Sequence, residues 1–169
     1  LAENRVRFYQ REIEKLKNDE EVKATREELT EAEKVLEELL KKYHDLESER
    51  KKLEDDISLK SDKIKKDEQK LSSGTITSSK EIVSINEEIE SLRKVNSELE
   101  NNMLEIMISI DDLNEEINIQ KEKKEKIEAH LKKQTDEIDE KIKAEEEILN
   151  KYKAKKEEVS KKIPSPHIE

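Results

Sequence analysis

The sequence has no cysteine and no tryptophan, a single phenylalanine, three tyrosines and one glycine in 169 residues. Its only prolines, Pro164 and Pro166, stand within the last six residues. Without cysteine there is no disulfide framework and no thiolate metal site within this chain. Without large aromatic side chains, which supply much of the burial energy of a core, an ordinary compact globular core cannot be assembled. No run of about 18 apolar residues exists, so no membrane span is expected. No secretory leader is visible either, although the chain opens at Leu1 and not at Met, and the cytoplasm is the default expectation. Phosphate-cradling glycine loops and nucleophile elbows are likewise missing.

Charge is what the sequence has in abundance. Asp, Glu, Lys and Arg make up 47 % of the chain, with 45 acids against 35 bases and a net charge of −10. That balance argues against nonspecific nucleic-acid binding by this segment. Composition of this kind is compatible with disorder, and periodicity decides the matter. From Leu29 the apolar spacing alternates three and four: Leu29, Ala32, Leu36, Leu39, Tyr43, Leu46, Arg50, Leu53, Ile57, Lys60, Ile64, Asp67, Leu71. A period of 3.5 is the a/d seam of a left-handed coiled coil. Arg50, Lys60 and Asp67 fall on it, and long basic stems can lie along a seam with their heads in water. Upstream, Ile13 and Leu16 belong to a register about one residue out of step with Val22, so a kink is expected near Asn18-Asp19. Asn18 and Glu21 stand in the spacing with which a helix restarts.

A second seam runs through Ile82, Ile85, Ile89, Leu92, Asn96, Leu99, Met103, Ile106, Ile110, Leu113 and Ile117, and more weakly to Ile138. The step from Ile138 to Ile142 is four where three is due, a stutter that unwinds a supercoil locally. Between the two seams lies Ser72-Ser73-Gly74-Thr75-Ile76-Thr77-Ser78-Ser79. Glycine accepts the positive φ of a reversing chain, and hydroxyls satisfy backbone groups freed at helix ends. Ser78 and Glu81 have capping-box spacing for the next helix. The expected fold is therefore all-α, a long antiparallel coiled-coil hairpin with arms 1–71 and 80–163, a tip loop at 72–79 around Gly74, and an exit segment 164–169. Folding back about this tip makes facing residues add to about 153, as Leu71 opposite Ile82 requires. The slip near Asn18 then lies opposite the stutter, a coincidence that in-register parallel chains would not produce. The longer second arm leaves Val159 and Ile163 without a partner.

Residues 80–120 carry three bases against eleven acids, whereas 121–163 carry fourteen against twelve. The acidic sector is also the most apolar. Met103, Ile106, Met107 and Ile110 serve the seam, but Leu104 and Ile108 point away from it. Either Lys and Glu stems cover the edges of a wide seam, or Leu104, Met107 and Ile108 form a strip that binds a protein partner, with methionine allowing adaptable contact. No catalytic residue is expected. His44, His130 and His167 have no second ligand or base in a recognisable spacing, abundant carboxylates have no concave core to shift their pKa, and Asn96 fits a register device better than a ligand. The lysine-rich stretches near 120–126 and 151–156 alternate with Glu and fit solvated faces. No cofactor or metal is expected in this chain.

Around and after the tip, Gly74-Thr75-Ile76, Lys80-Glu81-Ile82, Ile85-Asn86-Glu87-Glu88-Ile89-Glu90-Ser91-Leu92, Ser97-Glu98-Leu99-Glu100 and Leu104-Glu105-Ile106-Met107 follow one another. This course resembles a bacterial family of coiled-coil hairpins that carry a C-terminal four-cysteine zinc ribbon. Asn86 and Asn101 are mild departures from its pattern. The resemblance is specific over about residues 71–107, and Lys162-Ile163-Pro164 is similar to the family's junction between helix and ribbon. It implies that a zinc ribbon follows Glu169, with zinc held there and by no residue of this chain. It also implies a non-enzymatic adaptor in flagellar or type III secretion regulation, with an alternative sigma factor or a secretion component as its protein partner. The competing reading is a purely structural coiled-coil spacer. Whether the hairpin is a monomer or a homodimer is left open by the residues.

Overall fold

A computed structural model describes residues 2–162. Three helices follow in order: α1 (Ala2–Lys17), α2 (Glu20–Ser72) and α3 (Ser79–Lys162). Together they form an antiparallel coiled-coil hairpin, all-α as expected, and no strand occurs among the described residues. The exit segment with Pro164 and Pro166, and Ile163, expected to lack a partner, lie outside the described residues.

The helices end where the sequence runs out of helical chemistry. Gly74 adopts φ +67°, the left-handed conformation that releases a chain from a helix without a Cβ penalty. The Ser72 hydroxyl donates to the Gln69 carbonyl at 3.1 Å, which also accepts the Ser73 N–H at 2.9 Å, and the Ser73 hydroxyl donates to the Lys70 carbonyl at 2.9 Å at the end of α2. On the far side, the Ile82 N–H donates to the Ser78 carbonyl at 3.0 Å. The Ser78 hydroxyl and the Glu81 carboxylate make no capping bond, so the expected capping box is not formed. The tip is exposed there, where first-turn N–H groups are open to solvent.

Contacts divide the chain into two units, Leu1–Lys34 with Glu122–Glu169, and Val35–Lys121. In the second unit, Leu39 packs with Leu113 and Ile117, flanked by Val35, Leu36, Tyr43 and Leu46. Nearer the tip, Asn96 reaches residue 57, the facing relation expected from Leu71 opposite Ile82. Lys63 bridges to Glu88 at 3.3 Å, and Arg93 hydrogen-bonds to Glu68. Every α2 seam residue of this unit from Leu36 to Leu71 is buried or half-buried. Ile89 and Ile117 are each only 4 % exposed, and burials of this kind are worth about 1.5–3 kcal/mol apiece.

In the first unit, Val6 and Ile13 pack with Leu149, joined by Tyr9, Ile142 and Tyr152. The Tyr9 and Tyr152 rings stack at 5.6 Å. Lys124 bridges Glu128 at 3.3 Å and Glu33 at 3.4 Å, and these bonds, Glu128 first, hold its ammonium above its ordinary pKa. The helix break falls at Asn18-Asp19, as the register slip requires. Leu16 and Val22 are both turned inward while Lys15 is exposed. An open cleft of about 360 Å³ lies at the break, lined on the α3 side by Thr135, Ile138, Asp139 and Ile142. The break in one arm thus faces the stutter in the other.

One detail of the break differs from expectation. Asp19, not Asn18, starts α2: its Oδ1 accepts the N–H groups of Glu21 at 2.9 Å and Val22 at 3.0 Å. A carboxylate is favoured there by the positive end of the helix dipole. Asn18 closes α1 instead, donating from Nδ2 to the Glu14 carbonyl at 3.0 Å and to its side chain at 3.1 Å. Val159, at the end of the longer arm, is exposed as expected.

Candidate functional site

The seam of α3 consumes Met103, Ile106 and Ile110, which turn inward against α2. Residues one step off that seam have nowhere to go. Leu104 is 54 % exposed and Ile108 62 %; Met107, expected in the seam, is 43 % exposed and joins them, because Met103, Ile106 and Ile110 take up the inward face. At 3.6 residues per turn these three cover adjoining turns of one flank of α3. The expectation that Lys and Glu stems cover this edge is not met, because α3 has no cation to cover it with. Between Lys94 and Lys121 there is no Lys, Arg or His, while Glu98, Glu100, Glu105, Asp111, Asp112, Glu115 and Glu116 are all present.

Across the seam, Arg50 of α2 lies beside Met107. It is half-buried and held on its own helix, by Glu47 at 3.0 Å and Glu54 at 3.4 Å. The Glu47 hydrogen bond holds its guanidinium above the ordinary pKa, with Glu54 adding to it. Arg50 and Glu47 line a shallow depression of about 220 Å³ with Met107, Ile110 and Asp111. On the other flank, Glu49, Leu53, Asn102, Glu105, Ile106 and Ser109 line a second, of about 330 Å³. The strip is therefore a convex apolar ridge with acidic surroundings and a groove beside it. Other exposed apolar side chains, Leu59, Val83, Ile119 and Phe8 among them, belong to no such bracketed group.

Gly74, Ser78 and Glu81 sit together at the exposed tip, and they shape the turn without forming a pocket of their own. Two polar positions lie inside the seam: Asn96, expected as a register device, and Asp67, for which the sequence suggests a place on the seam but no role. Asn96 is 7 % exposed; its Nδ2 donates to the Ser61 hydroxyl at 3.0 Å and to the Ile57 carbonyl at 3.3 Å, and its Oδ1 is buried with no partner. Asp67 is the most buried side chain of all, at 1 %. Lys63 lies 2.7 Å from one of its oxygens and Lys70 3.2 Å from the other. The Lys63 ammonium, with help from Lys70, holds the Asp67 carboxyl below its ordinary pKa against the opposing effect of burial. The signal was available: an acid on the seam with Lys four residues before and three after it is a ready-made clamp. Arg50 and Lys60 behave as expected of basic seam residues, with half-buried stems and heads paired to acids, Lys60 to Asp56 at 3.9 Å.

Among the described residues no group of three or more His, Cys, Asp and Glu is placed to hold a metal ion. His44 meets only the edge of the Tyr43 ring. No helix of the described residues is long and apolar enough to cross a membrane.

Residues 4–168 match the model of the CT398-like coiled coil hairpin domain. No curated protein and no solved structure matches the chain.

Proposed function

The chain belongs to the CT398-like coiled coil hairpin family, and from that premise we propose that it works as a non-enzymatic, cytoplasmic adaptor. The hairpin presents a protein-binding surface, and a zinc ribbon following Glu169 is part of the same proposal. The observation that carries it is the exposure of Leu104, Met107 and Ile108 in a helix whose neighbouring apolar residues are all used by the seam. Exposed apolar groups that cluster are uncommon on solitary coiled coils and mark places where another chain docks. The family resemblance around the tip makes an enhancer-dependent alternative sigma factor the first partner to test, and a flagellar or type III secretion component the second.

The experiment is a fluorescence titration of the purified sigma factor with the wild-type chain and with a Leu104→Glu plus Ile108→Glu variant. The adaptor reading expects saturable binding that the variant loses while its helicity and mass stay unchanged. Absence of binding to both partner classes favours the structural spacer instead. Binding that survives the double substitution moves the surface elsewhere on the hairpin.

A further inference from the structure

The strip has a chemical polarity of its own. Along α3 its apolar side chains are bracketed by acids at both ends, Glu100 one turn before Leu104, and Asp111 and Glu115 one and two turns after Ile108. No cation of α3 lies anywhere between 95 and 120, and Arg50, the cation that lines the groove from α2, is paired with Glu47 and Glu54. The groove beside the ridge is lined by apolar Met107 and Ile110, by the carboxylates of Glu47 and Asp111, and by Arg50 paired to Glu47. An apolar stripe edged by carboxylates is the complement of an apolar stripe edged by ammonium or guanidinium groups.

We propose that the Leu104–Met107–Ile108 strip receives a cationic amphipathic helix of another protein. The inference rests on the adaptor reading and names the chemistry of its ligand. The incoming helix sets Leu, Ile or Phe at i and i+3/i+4 against the ridge, and its flanking Lys and Arg meet Glu100, Asp111 and Glu115. Met107 adapts to the shape of whichever apolar residue arrives. A second copy of the same face does not fit, because isologous pairing would set these carboxylates against their own copies. Nucleic acid and anionic lipid are repelled for the same reason.

The test uses a fluorescein-labelled model peptide of leucine and lysine, about 18 residues long and amphipathic at helical period, titrated into the full chain at about 50 mM and about 300 mM salt. The wild type is expected to bind saturably and more weakly at the higher salt. Leu104→Ser plus Ile108→Ser, which removes apolar surface without changing charge, is expected to weaken binding by about tenfold or more. Leu59→Ser, at an exposed leucine outside the strip, is expected to change nothing, and a peptide with Glu in place of Lys is expected not to bind. Circular dichroism confirms that both variants keep their helicity. Equal binding by the double serine variant overturns the proposal, since charge alone would then hold the peptide. So does a concentration-dependent dimer of the chain that the double serine variant dissolves. A protein partner that needs the strip but is not displaced by the peptide overturns this inference while leaving the adaptor reading in place. Failure of both peptide and protein partner removes both.

Discussion

Replacing Asn96 with leucine is expected to stabilise the hairpin. Asn96 is almost wholly buried in the seam, and it makes two neutral hydrogen bonds to the opposing arm, at 3.0 and 3.3 Å. Losing them costs about 0.5–1.5 kcal/mol each. Its Oδ1, however, is buried with no partner, and an acceptor stranded in this way costs about 1–3 kcal/mol, which the substitution recovers. A buried leucine side chain adds about 1.5–3 kcal/mol of apolar burial. The groups left behind are not stranded in turn: Ser61 lies four residues after Ile57, so its hydroxyl can donate to the Ile57 carbonyl of its own helix. Central values leave a balance of about 2 kcal/mol in favour of leucine. Urea unfolding followed by helical circular dichroism reads this directly, and with a slope near 2 kcal/mol per molar the midpoint should rise by about 1 M. A buried asparagine in a multi-chain coiled coil selects register and partner number. Here the short tip between Ser72 and Ser79 ties the arms together, so a one-heptad slide would have to unwind helix to lengthen the loop. The slope and the solution mass should therefore stay as in the wild type. A midpoint that falls refutes the energetic reasoning, and a shallower slope or a larger mass refutes the claim that the tip alone sets the register.

Two further substitutions test the seam and the turn. Asp67 has a folded-state pKa below its ordinary 3.8, so its ionisation contributes stability that is complete above that value and is lost as pH falls through the folded pKa. The melting-temperature difference between wild type and Asp67→Asn should accordingly be constant from neutral pH down to about pH 5 and shrink below pH 4; an offset that does not change with pH would show that the Lys63 and Lys70 pairing is not its source. At the tip, Gly74→Ala meets no neighbouring atom but must hold φ +67°, and it should destabilise by about 1 kcal/mol in the same urea assay, with Gly74→Asn less affected. Equal stability of all three would mean that the turn adopts another conformation in solution.

The seam, the break, the stutter and the turn were legible in the sequence because each is a property of spacing. A strict alternation of three and four can satisfy only one helical face, and the sole glycine sits where the two alternations part. What spacing does not settle is which of two adjacent polar residues does a given task. Asn18 and Asp19 are both short and both capable of capping, and the one-residue difference in where the backbone leaves α1 decides that Asp19 caps while Asn18 closes. Ser78 has the spacing of a capping box, yet its hydroxyl and Glu81 stay unengaged at an exposed tip, where spacing alone does not oblige the bonds to form. Asp67 escaped notice for a different reason. An acid in a seam looks like an imperfection until its two lysine neighbours on the same helix are counted with it. The apolar strip was visible as two residues out of phase, Leu104 and Ile108, whereas Met107 looked like a seam residue and its exposure shows only in the packed hairpin.

The break at Asn18-Asp19 bears on how the protein comes apart. It leaves α1 as a helix of 16 residues, near the length of about 12–15 below which an isolated helix is marginal in water. Its order therefore depends on Val6, Tyr9 and Ile13 remaining seated against Leu149, Ile142 and Tyr152. Helix propagation cannot be handed down from α2, because Asp19 begins a new hydrogen-bonding run and does not continue the old one. The N-terminal segment is thus a separate cooperative element, held by that cluster and by the Glu3–Lys156 ion pair at 3.8 Å, whose opening does not require α2 to unravel.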